Sequence, residues 1–140
     1  MKICGIEIKG SEALIAVAEL HNNEISHVKL ETKRVALQDD EDANHIRSFS
    51  ALINGLVRDN GIHSIAIKKR NKKGEFAGGP VTFKIEGIIQ LTSNCSVKLI
   101  SPPTINATNK SHSFAIPDSL NKYQHEAFLT ACTMIVKFAK

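Results

Sequence analysis

Residues 2–31 constrain the fold more than any other stretch of this chain. Residues 2–8 alternate as a strand does, with Cys4, Ile6 and Ile8 on one face and Ile3, Gly5 and Glu7 on the other. Lys9-Gly10-Ser11 reads as a turn, residues 13–20 as an apolar second strand, and residues 21–24 as a turn into a third strand over 25–31. Connections this short join antiparallel neighbours, so the chain opens with a three-stranded meander.

The remainder alternates helix and strand. Asp39-Asp40-Glu41-Asp42 opens a helix expected over 41–60, with Ile46, Phe49, Leu52, Ile53, Leu56 and Val57 at helical spacing. The acids suit the positive end of the helix dipole and supply caps, which favours a structural over a metal-binding role. Asn60-Gly61 ends the helix, and residues 63–67 form a short buried fourth strand. Pro80 begins a second helix to about residue 91, where its missing N–H costs nothing in the first turn. Gly87 inside that helix is expected to admit a close neighbour. A fifth strand over 96–100, a short helix over 104–110 and a last helix capped by Asp118 or Ser119 complete the order.

A meander followed by crossovers predicts an α/β fold. Its five-stranded mixed sheet holds the antiparallel meander plus two parallel strands, with helices on both faces. Right-handed crossovers set the fourth strand beside the first with their carboxyl ends together. Ligands of open α/β sheets collect at such ends, and Glu7 and the segment after the fourth strand both lie there. Glu7 interrupts a strand expected to be buried, where an unpaired carboxylate is costly. The plainer reading pairs it with Lys68 or Lys69 across adjacent strands.

That following segment carries Lys68, Lys69, Arg70, Lys72 and Lys73, five cations in six residues. It runs through Gly74 and Phe76 to Gly79-Pro80 at a helix N-terminus, whose free amides favour anions. These five cations and the amides near Gly79 are candidate phosphate ligands, and Phe76 is a candidate stacking residue. A solvated loop anchored by Phe76 is the simpler alternative. Gly74–Gly79 lacks the Gly-Lys-Ser/Thr ending of a nucleotide-binding phosphate loop.

At 140 residues the chain fits one domain, residues 1–140, with a core of its own. Its net charge of +4 permits a polyanionic partner without requiring one, and 5% aromatic residues with no Trp argue against an aromatic stacking platform. Cys4, Cys95 and Cys132 form no Cys-x-x-Cys pair and read as buried, reduced thiols of a cytoplasmic protein. The six histidines show no metal-ligand spacing. No segment reaches the length of a membrane span, so no membrane partner is expected.

The element order, with an acid near the end of the first strand, resembles the ribonuclease H-like fold and, within it, RuvC-type Holliday junction resolvases. Ile3-Cys4-Gly5-Ile6-Glu7 is similar to the resolvase strand ending in Gly-Ile-Asp, and Ser64-Ile65-Ala66-Ile67-Lys68 to the Val-Ala-Ile-Glu strand. Tyr123-Gln124-His125-Glu126-Ala127 is similar to the last helix's start, where the family keeps its final acids. The wording around Phe76-Ala77-Gly78-Gly79 resembles a small bacterial family of unknown function. In catalytic resolvases the acids gather two divalent metals, Mg or Mn, that activate water. The resemblance thus implies Glu7 and Glu126 as catalytic residues, Glu7 as a metal ligand, and DNA or RNA as partner. It also puts Lys68 in place of the second acid and Tyr123 in place of another. A lysine there removes a ligand and repels a metal. The expectation is therefore a nucleic-acid-binding domain with a degraded metal site. A nuclease using Glu7 and Glu126 is one alternative, and a non-catalytic scaffold or homodimerisation module is another.

Overall fold

A computed structural model describes residues 1–73 and 79–138. Its strands are β1 (Lys2–Lys9), β2 (Glu12–His21), β3 (Glu24–Val28), β4 (Arg34–Ala36), β5 (Ser64–Lys68) and β6 (Ser96–Ile100). Its helices are α1 (Ala43–Asp59), α2 (Pro80–Gln90), α3 (Pro102–His112) and α4 (His125–Lys137). The sheet runs β3-β2-β1-β5-β6, with β4 also paired to β2. β1 is antiparallel to β2 and parallel to β5, and β5 is parallel to β6, so the expected mixed sheet is present.

The third strand is where the sequence reading needs correction. β3 stops at Val28, and the chain returns to β2 as β4, which gives six strands among the described residues. The charged stretch Lys29–Lys33 leaves the edge and rejoins it where the Ile15 N–H donates to Lys33 O at 2.9 Å. Arg34 then pairs with Glu12 at 3.4 Å, and its guanidinium lies 4.3 Å over the Tyr123 ring. Three of the four acids before α1 have structural partners among the described residues. Asp42 caps the helix by accepting from the Asn44 N–H, Asp39 accepts from the Glu41 N–H, and Asp40 holds Lys84 of α2 at 3.0 Å. Gly87 has open space around it rather than a close neighbour. α3 spans both prolines, because Ser101 caps it and a proline costs no hydrogen bond in a first turn.

The last helix begins later than Asp118 or Ser119 suggested. Asn121 and Gln124 form a reciprocal capping box around a 3-10 turn over Lys122–Gln124, and α4 follows from His125. The buried Gln124 amide donates to Ile15 O at 2.8 Å, tying the helix start to β2.

Two apolar layers sandwich the sheet. Cys4, Ile6, Ile8, Ile65 and Ile67 pack with α1 and α2, whereas Ile3, Ala16, Ala66 and Ile100 pack with α3 and α4. Cys4 and Cys132 are buried and burial pushes both thiols up to about 12, while Cys95 is only half-buried, a departure from the uniform burial expected. No helix among the described residues is long and apolar enough to cross a membrane.

Candidate functional site

Small residues determine how close α4 comes to the sheet. Gly5 lies between Ala16 of β2 and Ala66 of β5 in the strand register, a shallow trough across three strands. α4 lies in it through Ala127 and Ala131. A Cβ at Gly5 would collide with the Ala127 carbonyl oxygen and come within 2.8 Å of its carbonyl carbon. Gly5 is therefore where backbone approaches backbone, and the space a side chain would fill there belongs to α4.

This approach carries the first turn of α4 over the carboxyl ends of β1 and β5. Ile6 pairs with Ile67, so Glu7 and Lys68 follow side by side. Lys68 Nζ lies 3.6 Å from Glu7 Oε2 and donates to Glu126 Oε1 at 2.7 Å. The Glu7 side chain is 10% exposed, Lys68 19% and Glu126 38%, so Glu7 depends on the ammonium while Glu126 also reaches water. The cluster holds two carboxylates and one ammonium.

These residues do not fit a two-metal centre. Mg or Mn needs several oxygens converging on one point, and here both carboxylates converge on an ammonium. Among the described residues no three His, Cys, Asp or Glu side chains gather to hold an ion. Glu86, a conceivable replacement acid, sits buried on α2, the opposite layer, and accepts from the Arg70 N–H at 3.4 Å. Tyr123 is turned to the β4 edge beneath Arg34.

The basic segment starts from fixed backbone. The Lys69 N–H donates to Ile100 O at 2.9 Å, extending the β5–β6 ladder by one step, and Glu86 holds the next amide. Lys69, Lys72 and Lys73 are exposed. Arg70 is half-buried, and its Nε is buried with no hydrogen-bond partner among the described residues. Gly79 is the N-cap of α2 with no side-chain cap, and its carbonyl accepts from Thr82 Oγ1 at 2.6 Å. Phe76 lies outside the described residues.

The structure thus brings together Glu7, Lys68 and Glu126, and sets Lys69, Arg70, Lys72 and Lys73 beside them at the next strand end. Sequence reasoning missed Gly5 as a contact point and Gln124 as an anchor. The signal for Gly5 was present in the small residues Gly5, Ala16, Ala66, Ala127 and Ala131, but it becomes readable only once the strand register is known.

Known structures share this architecture. RuvC of Thermus thermophilus superposes with a TM-score of 0.74 at 10% identity, over 96% of this chain and 93% of that one. T. thermophilus RuvC in complex with its Holliday junction substrate gives 0.70 at 12% identity, over 99% and 95%. The fowlpox virus resolvase with its Holliday junction DNA gives 0.54 at 19%, over 99% and 97%. At these identities the likeness is one of fold, and the fold is the ribonuclease H-like fold of RuvC. No curated protein matches the chain in sequence. Over residues 1–134 the sequence matches the family described as a protein of unknown function, DUF3010, and the chain belongs to that family.

Proposed function

We propose that this protein binds nucleic acid through phosphate contacts from its basic segment and that its carboxylate cluster is structural. One observation carries the reading: the Lys68 ammonium sits between Glu7 and Glu126, where a metal would have to bind. Engaged in this way, Lys68 does not reach for phosphate. That role falls to Lys69, Arg70, Lys72 and Lys73, supported by amides near Gly79. The RuvC and fowlpox virus resolvase structures of this fold were solved with Holliday junction DNA, which supports a nucleic-acid partner.

Contacts of this kind give affinity that falls steeply with salt and little sequence preference. Fluorescence anisotropy with labelled branched, duplex and single-stranded DNA and RNA over a potassium chloride series measures both. Replacing Lys69, Lys72 and Lys73 by Gln should flatten the log–log salt slope on duplex by up to about 3, since each lost phosphate contact removes roughly 0.9. No binding to any of these nucleic acids at low salt would overturn the reading. Manganese-dependent cleavage abolished by Glu7→Gln would instead establish the nuclease alternative, with Lys68 displaced by the ion.

A further inference from the structure

A second crevice opens one strand further along the sheet, at the carboxyl ends of β5 and β6. The chain leaving β5 passes to α2 on one face, and the chain leaving β6 passes to α3 on the other. Adjacent parallel strands whose connections diverge in this way leave a gap between the two departing loops, the topological switch point of an open α/β sheet. Here the gap is a cavity of about 450 Å³, with residues 69–73 on one wall and 101–103 on the other.

The two walls differ in chemistry. One carries Lys69, Arg70, Lys72 and Lys73 with Asn71 among them, and no acidic residue lines the cavity among the described residues. Arg70, whose buried Nε has no hydrogen-bond partner among the described residues, lines this wall and also borders a neighbouring cavity of about 370 Å³ near Gly79. A buried donor without an acceptor is costly, which favours Arg70 donating to a ligand's oxygen.

The other wall offers almost no hydrogen bonds. Pro102 and Pro103 have no N–H. The Thr104 N–H donates to Ser101 Oγ, which also bonds Thr104 Oγ1 at 2.8 Å, and the Ile105 N–H donates to Ser101 O. The start of α3 is therefore no amide nest for an anion. It sets the Pro102 and Pro103 rings opposite a cationic wall.

We infer that this crevice binds a nucleotide unit, with its phosphate on Lys69, Arg70, Lys72 and Lys73 and its base or sugar face against Pro102 and Pro103. The inference rests on the proposed nucleic-acid binding and narrows it to unstacked nucleotides. The two prolines offer no side-chain donor or acceptor to read base identity, which leaves any such reading to Asn71 and Ser101. Duplex keeps its bases stacked inside and cannot turn a face to the prolines, whereas a single strand or a free nucleotide can.

Titration of the labelled protein with adenosine 5′-monophosphate, inorganic phosphate and a ten-nucleotide thymidine strand, followed by amide NMR, separates the sources. The amides of Lys69, Arg70, Ser101 and Thr104 should shift with the nucleotide and the strand. Pro103→Ala should weaken single-strand binding by roughly fivefold to tenfold, the lower part of the range for losing one stacked base. It should leave duplex binding unchanged, with the thermal midpoint checking that the variant folds. Phosphate binding as tight as the nucleotide, or equal effects of Pro103→Ala on single strand and duplex, would overturn this inference and leave phosphate-mediated binding standing. Nucleotide binding in the crevice with no affinity for any polymer would do the reverse. A chain that binds none of the three probes overturns the inference outright.

Discussion

Replacing Lys68 by Met tests whether the carboxylate cluster is held by that one ammonium. At an effective dielectric of about 20, charges at the 3.6 Å of Glu7 and the 2.7 Å of Glu126 attract by about 5 and about 6 kcal/mol, before desolvation is counted. Taking the ammonium and the Glu7 carboxylate out of water offsets most of this, and water screens the Glu126 pair. What the variant leaves behind is a carboxylate one-tenth exposed with no cation, so the expected loss is about 2–3 kcal/mol, below the full cost of breaking a wholly buried pair. Glu7→Gln alone leaves Lys68 bonded to Glu126 and should cost about 1 kcal/mol. The double variant removes charge and counter-charge together, so it should cost less than the sum, with a coupling of about 1–2 kcal/mol. Urea unfolding of the four proteins, with Lys69→Met as an exposed control within about 0.5 kcal/mol of the parent, gives the cycle. Additivity within about 0.5 kcal/mol, or a Lys68→Met protein as stable as the parent, would refute the idea that Lys68 neutralises Glu7.

Gly5→Ala should be among the most damaging single-methyl changes in the chain, costing about 3 kcal/mol by urea unfolding, because the added carbon meets α4 backbone that cannot rotate away. The cysteines should divide by burial: Cys4 and Cys132, whose thiols are pushed up to about 12, should resist a thiol reagent at pH 8 until urea is added, with the half-buried Cys95 modified first. His27, bonded to Ser119 Oγ at 2.7 Å and packed edge-on against Phe128, is held below its usual titration range by burial and then by Lys29 and Lys33. As pH falls through about 6.5 the unfolded chain takes up this proton before the folded one, so stability should decline from pH 7 to pH 5. His27→Gln should reduce that decline, and an unchanged slope in pH-dependent urea melts would count against it.

Most of the fold is legible in the sequence because it rests on short-range signals. The alternation over residues 2–8, the turns at Gly10 and Asn22-Asn23, and the proline at the start of α2 act locally, and the strands and helices follow from them. The parts that were misread depend on distant partners. Residues 29–31 look like more strand, yet whether they pair is decided by β2, which takes up the edge again only at Arg34. Asp118 and Ser119 look like caps, but the helix starts where Gln124 finds a carbonyl on β2, more than a hundred residues away in sequence. The Glu7–Lys68 pairing was readable, because parallel neighbours in register place them side by side. The contribution of Glu126 was not, because it depends on how far α4 sinks into the trough at Gly5.

The two strand-end sites act on a polyanion in opposite ways, and their spacing lets them act together. Neighbouring strands lie about 4.8 Å apart, inside the Debye length of about 8 Å at physiological salt, so charges at adjacent strand ends are only partly screened from one another. At β1 and β5 two carboxylates surround one ammonium, which leaves a surplus of negative charge. At β5 and β6 four cations stand beside a proline wall. A phosphodiester chain crossing this end of the sheet is therefore repelled from Glu7 and Glu126 and drawn toward Lys69 and Arg70. In an arrangement that served hydrolysis by the two carboxylates, the scissile phosphate would have to sit beside them, which needs a cation there that is free to face it. Lys68 supplies the charge but turns it inward, so it stabilises the acids without attracting the substrate. On the proposed reading Lys68 keeps Glu7 tolerable in the core, and the surplus negative charge beside it would direct nucleic acid to the neighbouring crevice.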